Sequence, residues 1–394
     1  MAPGRRQKTG PSSAAKLHGW PTSRSTTEPP PPASFPMITN TERRAFPVIE
    51  ITNEMPLNRM GGVGTVIENL ISGFAAEGVD ALWFVIDHAY PPAEVDEILR
   101  RFHPVVVGSA EELRHFTAPL LHVHTYKPNP ALDAVLARHR VVCTIHSLLA
   151  LEERTNGVGL GGARAWQEHL ISLSARVVVL SEAEHRHYRA LGYRQRNPAV
   201  KVIPNGVACA APFRPVRGKA VLGYCGRLVP RKHPEYVQLL LGEAHFATRR
   251  VLVAGRGFSP YARNLLHAHG LAERVSFLGW CAGARLEAFF EAIDVLAVPS
   301  SYEPFGLVAL EAAARGIPVV CTRTDGLHEV LGPHAFYCAD GTYDAFRAAM
   351  HDWDDASPDE LRARCVAARQ RYEAHFTDRV MARRYRHLFA ELAG

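Results

Sequence analysis

The stretch Ser300-Ser301-Tyr302-Glu303-Pro304-Phe305-Gly306-Leu307-Val308-Ala309-Leu310-Glu311-Ala312 follows the apolar run Asp294–Val298. An apolar run, a turn holding Pro304 and Gly306, and then an apolar helical pattern form a strand–loop–helix unit of a parallel sheet. Glu303 falls in the loop and Glu311 about a turn inside the helix. The N–H groups at the helix start stay free for an anion. Carboxylates at these two places can accept hydroxyl groups.

The same alternation runs outward from this stretch in both directions. Val48–Thr52, Ala81–Ile86, Leu120–Val123, Val141–Ile145 and Arg176–Leu180 read as strands, with a helix over Val63–Glu77. After Pro204-Asn205-Gly206 the pattern restarts with Ala220–Tyr224, Arg250–Ala254, Arg274–Leu278, Asp294–Val298 and Pro318–Cys321. Helical patterns such as Pro234–Ala244 and Leu307–Ala314 separate them. Short buried strands alternating with helices mean parallel sheets covered on both faces. The expected fold class is α/β, with two Rossmann-like doubly wound domains facing across a cleft and joined near Pro204–Pro215. Ligands of such sheets bind at the carboxyl ends of the strands, so the cleft is the expected site.

Of the net charge of +6, +5 lies in residues 1–46, which hold seven Lys+Arg against two Glu. Residues 47–205 carry 15 Lys+Arg and 17 Asp+Glu, or −2, which leaves +3 for 206–394. No domain is basic enough for nucleic-acid binding. The preference for Arg (39) over Lys (6) reads as codon bias in a GC-rich genome. The first 36 residues hold eight prolines and no periodic apolar pattern, which implies a disordered tail or an over-extended gene start. No apolar run reaches the ~18 residues of a membrane span. The seven cysteines are scattered without a C-x-x-C pair and read as reduced core thiols of a cytoplasmic protein.

Met60-Gly61-Gly62-Val63-Gly64-Thr65 opens a helix, where backbone N–H groups can approach a phosphate. Three readings remain open here: a dinucleotide site using Asp87, a structural helix start, or a loop contacting a ligand in the cleft. Against the first, Ile67 stands where the third glycine belongs, and eight residues separate the strand from Gly61. No metal site is expected. Asp352-Trp353-Asp354 reads as a solvated loop, and His122, His124, His185 and His187 lack companion ligands at suitable spacing.

The string from Glu303 to Glu311 resembles the Glu, seven residues, Glu motif of retaining GT-B glycosyltransferases, above all glycosyltransferase family 4 (group 1). Further segments match in order. The glycine loop is one, and Thr144-Ile145-His146-Ser147-Leu148 is similar to a T-x-H-S-L segment of sucrose-phosphate synthases. Val202-Ile203-Pro204-Asn205-Gly206-Val207 resembles the I-P-N-G-V hinge, and Gly226-Arg227-Leu228 with Lys232 resembles the G-R-L-x-x-x-K element. Val253–Gly257, Phe277-Leu278-Gly279 and Phe376-Thr377 follow. The resemblance implies an acceptor-side domain over 47–205, a nucleotide-sugar-binding domain over 206–365, and a segment 366–394 crossing back to the first. His233, where glycine usually follows the lysine, and Asp325-Gly326, which replaces Gly-Gly before Glu329, depart from the pattern.

By this resemblance the chain is a retaining hexosyltransferase, and a nucleotide-sugar, most readily a UDP-sugar, is its substrate, with no cofactor required. Arg227 and Lys232 would bind the diphosphate, Glu303 the sugar and Glu311 the ribose, with His146 at the reacting face. Gly61, Gly62, Gly255, Phe305, Gly306 and Leu307 would complete the donor site. Glu54, Arg59, His124 and Glu152 would face the acceptor, and Leu148–Gly162 would form a mobile acceptor loop. No carboxylate would act as nucleophile; the leaving phosphate oxygen would take the acceptor's proton. The helix after the glycine loop carries Glu68 and Glu77 and no cation, which disfavours docking on an anionic membrane. A small soluble polar acceptor is expected, such as an aminocyclitol or another specialised-metabolite core in a bacterium. The competing readings are a GT-B epimerase, a phosphorylase using pyridoxal phosphate, and a non-catalytic GT-B scaffold.

Overall fold

The computed structural model describes residues 45–55, 61–86, 91–102, 104–125, 127–214, 218–257 and 272–393. The Pro-rich stretch, Arg59 and Asp87 lie outside the described residues.

The strands form two all-parallel sheets. The first holds β1 (Val48–Thr52), β2 (Ala81–Ile86), β3 (Val105–Gly108), β4 (Leu120–Val123), β5 (Arg140–Thr144), β6 (Arg176–Val179) and β7 (Val200–Val202), in the order 3-2-1-4-5-6-7. The second holds β8 (Val221–Cys225), β9 (Arg250–Ala254), β10 (Val275–Gly279), β11 (Val295–Val298), β12 (Val319–Thr322) and β13 (Phe336–Cys338), in the order 10-9-8-11-12-13. Strand order reverses between β1 and β4 in one sheet and between β8 and β11 in the other. Chain leaving those neighbouring strands diverges to opposite faces and opens a crevice at their carboxyl ends.

Each sheet is covered on both faces, and successive residues of a strand serve different cores. Ile49 and Ile51 of β1 join one core and Val48 the other. The unexpected strands β3, β7 and β13 all lie at sheet edges and are only three or four residues long, too short to show a periodic pattern. All seven cysteines are free thiols. Among the described residues no helix is long and apolar enough to cross a membrane.

Two expectations are corrected. Residues 149–156 form a helix (Leu149–Asn156) rather than a mobile loop, and a second helix, Gly161–Leu173, begins five residues on. The first is held by Leu148 N–H donating to Tyr302 Oη at 3.0 Å and Leu149 N–H to Gln167 Oε1 at 3.0 Å. Asp352-Trp353-Asp354 belongs to the helix Tyr343–Asp355 and is not a solvated loop. Trp353 there is fully buried, and Asp354 is bound by Arg249 at 2.8 Å and His245 at 2.8 Å.

The helix Pro358–His375 runs through position 366 and packs on the second-sheet helix Leu307–Arg315. The chain crosses over at Phe376–Thr377. There Val207 N–H donates to Phe376 O at 3.0 Å, and Asp378 N–H to Val207 O at 3.3 Å. The last helix, Asp378–Ala393, lies against the helix Gly62–Glu77 of the first half. This crossing explains the glycine of the Pro-Asn-Gly hinge. A Cβ on Gly206 would stand 2.2 Å from Thr377 O. Gly206→Ala is therefore expected to lower stability by about 1–3 kcal/mol in urea unfolding, because backbone must shift. Gly159→Ala, whose Cβ meets open space, is expected to change nothing measurable.

Candidate functional site

The crevices of the two sheets merge into one cavity of about 390 Å³. Its walls come from strand ends. Glu54 follows β1, His124 follows β4 and His146 follows β5. From the other half, Gly226 and Arg227 follow β8, Gly255 follows β9, and Glu303 and Pro304 follow β11. Gly61, Gly62, Glu152, Lys232, Phe305, Gly306, Leu307 and Glu311 complete the set read from sequence. Every one of those residues except Arg59, which lies outside the described residues, lines this one space. A Cβ on Gly62 would sit 3.7 Å from Leu307 Cδ1, so the glycine loop faces the Leu307 helix start across the cleft.

Cations from the second half dominate the floor. Lys232 Nζ lies 2.7 Å from Glu303 Oε2, and both side chains are largely buried. Burial alone would raise the Glu303 carboxyl, but the fields of Lys232 and Arg231 outweigh it and hold the pKa below the usual range. Among the described residues Glu311 has no such partner. Burial pushes its carboxyl up to about 7, only partly opposed by Arg315. Gly306, with φ of 93°, ends the loop, no side chain caps the helix Leu307–Arg315, and Leu307 and Val308 of its first turn line the cavity.

Lys232 is followed by a backbone kink. His233 has φ of 44°, the one non-glycine residue in the left-handed region among the described residues. This explains why glycine suits that position. Here the ring is held by stacking on Tyr236 at 4.6 Å and by Glu235 at 3.0 Å. Gly326 is likewise required, since a Cβ would stand 2.4 Å from Phe305 Cα. Glu329 does not line the cavity. Its carboxylate accepts from Glu182 N–H at 2.8 Å and Ala183 N–H at 2.6 Å, capping the first-half helix Glu182–Ala190.

Sequence reading missed Arg231. Its side chain is 4% exposed and spans the cleft, donating to Glu152 Oε1 at 3.2 Å and to Tyr302 O at 2.7 Å. Half-exposed Arg227 shares the same carboxylate at 3.2 Å. Burial would raise Glu152, but Arg231, then Arg227, and the Ser147 hydroxyl lower it instead. Tyr302 was also missed; its hydroxyl donates to Glu184 at 3.1 Å in the first half. The charge pair Arg231-Lys232 was visible in sequence, but nothing there distinguished a buried arginine from an exposed one. Trp280, just after β10, lines the cavity with its indole Nε1 unbonded among the described residues.

Behind His146 lies a network that strand spacing alone did not reveal. His122 lies on β4 and His124 just past its end, and Glu50 pairs with His122 in the register of β1. All three are buried, with ligand-type atoms within 4.8 Å of one another. The absence of companion ligands for the His122–His124 pair is thus corrected: the carboxylate arrives from another strand. Both imidazoles approach one oxygen, Glu50 Oε2, with His122 Nδ1 and His124 Nε2 each 2.8 Å away. His124 Nε2 meets Glu50 Oε2 in hydrogen-bonding geometry, whereas His122 Nδ1 approaches the same oxygen without it. His185 and His187 lie on the helix Glu182–Ala190, away from this cluster.

Residues 211–371 match the family model described as glycosyl transferases group 1, and residues 60–211 match glycosyltransferase family 4. A glycogen synthase of Mycobacterium tuberculosis (strain H37Rv) is 31% identical over 280 residues, 67% of this chain and 66% of that protein. A D-inositol 3-phosphate glycosyltransferase of Corynebacterium efficiens is 40% identical over 116 residues, 27% of each chain. The aligned stretch thus spans less than two thirds of these curated relatives. Sucrose-phosphate synthase from Thermosynechococcus elongatus superposes with a TM-score of 0.69 at 21% identity, covering 88% of this chain and 98% of that one. Anabaena Alr3699/HepE in complex with UDP-glucose gives 0.68 at 17% identity, covering 87% and 99%. Both share the two-domain GT-B fold.

The cross-cleft ion pair yields a stability test. Arg231→Met leaves buried Glu152 with half-exposed Arg227 alone and is expected to cost about 2–4 kcal/mol in urea unfolding. The double variant Glu152→Leu/Arg231→Met is expected to be more stable than Arg231→Met. A double variant as unstable as the two single losses added would contradict the coupling.

Proposed function

Because the chain belongs to the group 1, family 4-like glycosyltransferases, we propose that it moves a sugar, with retention, from a UDP-sugar to a small soluble polar acceptor. The observation that carries this is the convergence of Arg227, Lys232, Glu303 and Glu311 on one cavity at the switch point of the second sheet. A dinucleotide enzyme would need its phosphate site in the tight turn after β1, whereas here the cations stand across the cleft from the glycine loop.

Arg227 and Lys232 neutralise the diphosphate as charge builds on it during bond cleavage. The uncapped start of the helix Leu307–Arg315 adds N–H donors for the same oxygens. Glu303, ionised and held by Lys232, accepts sugar hydroxyls, and Glu311 accepts those of the ribose. Trp280 and the backbone after Gly255 and Gly279 face the base. Retention follows if the acceptor attacks from the face the diphosphate leaves, the departing phosphate oxygen taking its proton. No protein base is then required.

The acceptor wall carries Glu54, Glu152 and His124, and among the described residues no Lys or Arg of the first half lines the cavity. Burial first, and then the field of His122, lower His124 to about 4, against the pull of Glu50, so it is neutral near pH 7. Such a wall suits a neutral or cationic polyol, an aminocyclitol among them, over a phosphorylated one.

UDP is expected to raise the melting temperature by a few degrees at about 100 times its dissociation constant. GDP, ADP and NAD⁺ are expected to raise it less. A response to NAD⁺ alone would overturn the donor assignment. Lys232→Ala is expected to cut turnover at least ~100-fold, with the anomeric configuration of the wild-type product read by NMR.

Glu311 sets a pH dependence. Its carboxyl must be ionised to accept two hydroxyls, and in the empty cleft it is half protonated near pH 7. UDP-glucose, whose diphosphate does not titrate here, is therefore expected to bind up to ~10-fold tighter at pH 8 than at pH 6. Glu311→Gln is expected to flatten that profile in calorimetric titrations.

A further inference from the structure

A run of buried polar groups begins in the last helix and ends at the cavity. Tyr385 Oη lies 2.9 Å from Thr144 Oγ1, which lies 2.7 Å from His122 Nε2. His122 Nδ1 and His124 Nε2 meet on Glu50 Oε2. His124 Nδ1 then lies 3.1 Å from His146 Nε2. The remaining nitrogen, His146 Nδ1, is buried and has no hydrogen-bond partner among the described residues. His146 itself lines the cavity beside Glu303 and Arg227.

The protons along the second half of this chain can be assigned. Burial alone would raise Glu50, but the field of His122, 2.8 Å away, and the hydrogen bond from His124 outweigh it, so the carboxyl is ionised. An ionised carboxylate only accepts. His124 Nε2, 2.8 Å away in hydrogen-bonding geometry, must therefore carry a proton. A neutral imidazole has one, so His124 Nδ1 is bare and accepts from His146 Nε2–H. Burial, with the fields of His124 and His122, keeps His146 well below its usual range and so neutral. Its single proton lies on Nε2, which leaves Nδ1, the buried and unpartnered nitrogen of this cavity-lining residue, as the bare acceptor.

We propose that Glu50 is a positioning residue that, through His124, fixes His146 as the Nε2–H tautomer, so that Nδ1 accepts a hydrogen bond from a substrate hydroxyl. This rests on the glycosyl-transfer reading only for the identity of that hydroxyl; the tautomer is a property of the empty protein. A buried acceptor without a partner costs free energy until a donor fills it. A sugar hydroxyl placed there regains that cost and aligns the reacting carbon. A thioether, an apolar group or another acceptor in its place would not. Glu50 reaches no cavity atom and acts only by orienting two rings, as the carboxylate behind a histidine does elsewhere.

The test uses the whole protein labelled with ¹⁵N-histidine, without substrate, His146 being assigned by His146→Asn. Long-range ¹H–¹⁵N spectra from about pH 5.5 to about pH 8 are expected to show His146 and His124 neutral, each with Nδ1 bare and Nε2 protonated. A His146 that is protonated on Nδ1, or cationic at pH 7, overturns the proposal. So does stoichiometric zinc in the purified protein, which would make the cluster a metal site. In Glu50→Gln the two histidines compete for one amide oxygen, and His146 is expected to lose its single tautomer. Turnover is then expected to fall ~10–100-fold, with the UDP dissociation constant within about twofold of wild type. Unchanged His146 shifts and turnover in a folded Glu50→Gln sink the assignment. If Glu50→Gln does not fold, the wild-type spectrum still decides. A correct tautomer in a protein that fails to turn over any UDP-sugar would count against the function and leave the proton assignment standing.

Discussion

Buried Arg231 reaching across the cleft to buried Glu152 is the contact on which the site depends. Neither charge can stay in the protein interior alone, since desolvation of either costs several kcal/mol. Together they hold the first helix beyond His146 against the loop that carries Arg227 and Lys232. Tyr302 extends the same join, taking a hydrogen bond from Leu148 and giving one to Glu184. A ligand's diphosphate entering between the halves would meet cations already ordered by carboxylates. Arg227, half-exposed and sharing Glu152, is the one most readily redirected to it.

A second constraint comes from the sheets. Parallel strands buried on both faces leave no room for an unpaired charge, yet β1 carries Glu50 in its middle. The cost is met by register: Glu50 stands opposite His122, and His124 is one strand pleat further on the same face. Helices at Phe74, Tyr385 and Phe389 seal that face from water. The low dielectric that makes the carboxylate expensive also makes its grip on the two imidazoles firm. Its effect reaches the cavity because β4 and β5 are neighbours, which sets His124 beside His146.

The crossing at Phe376–Thr377 ties these parts together. The chain returns past Val207, and the last helix packs on the helix of the glycine loop. Gly73 and Gly206 are both needed there, because a Cβ on either would meet the backbone of Asp378 or Thr377 within 2.4 Å. The helix that supplies Tyr385 to the buried network is thus the one that binds the halves.

The alternation of Val-rich runs with helical patterns determined two parallel sheets, because strands buried on both faces have few compositions available. The motifs around Gly61, His146, Arg227, Lys232, Glu303 and Glu311 pointed to residues that line the cavity, since they lie past strand ends or in the loops and helices that follow them. Edge strands β3, β7 and β13 escaped because runs of three or four residues are too short to show a period. Tertiary structure alone decided the rest. Arg231 and Lys232 are adjacent cations in sequence, and only the fold sends one to Glu152 and the other to Glu303. Glu50 and His124 are 74 residues apart, and only the β1–β4 pairing makes them one unit. Pairwise contact between distant residues is a property of strand order, and one chain's local pattern does not encode it.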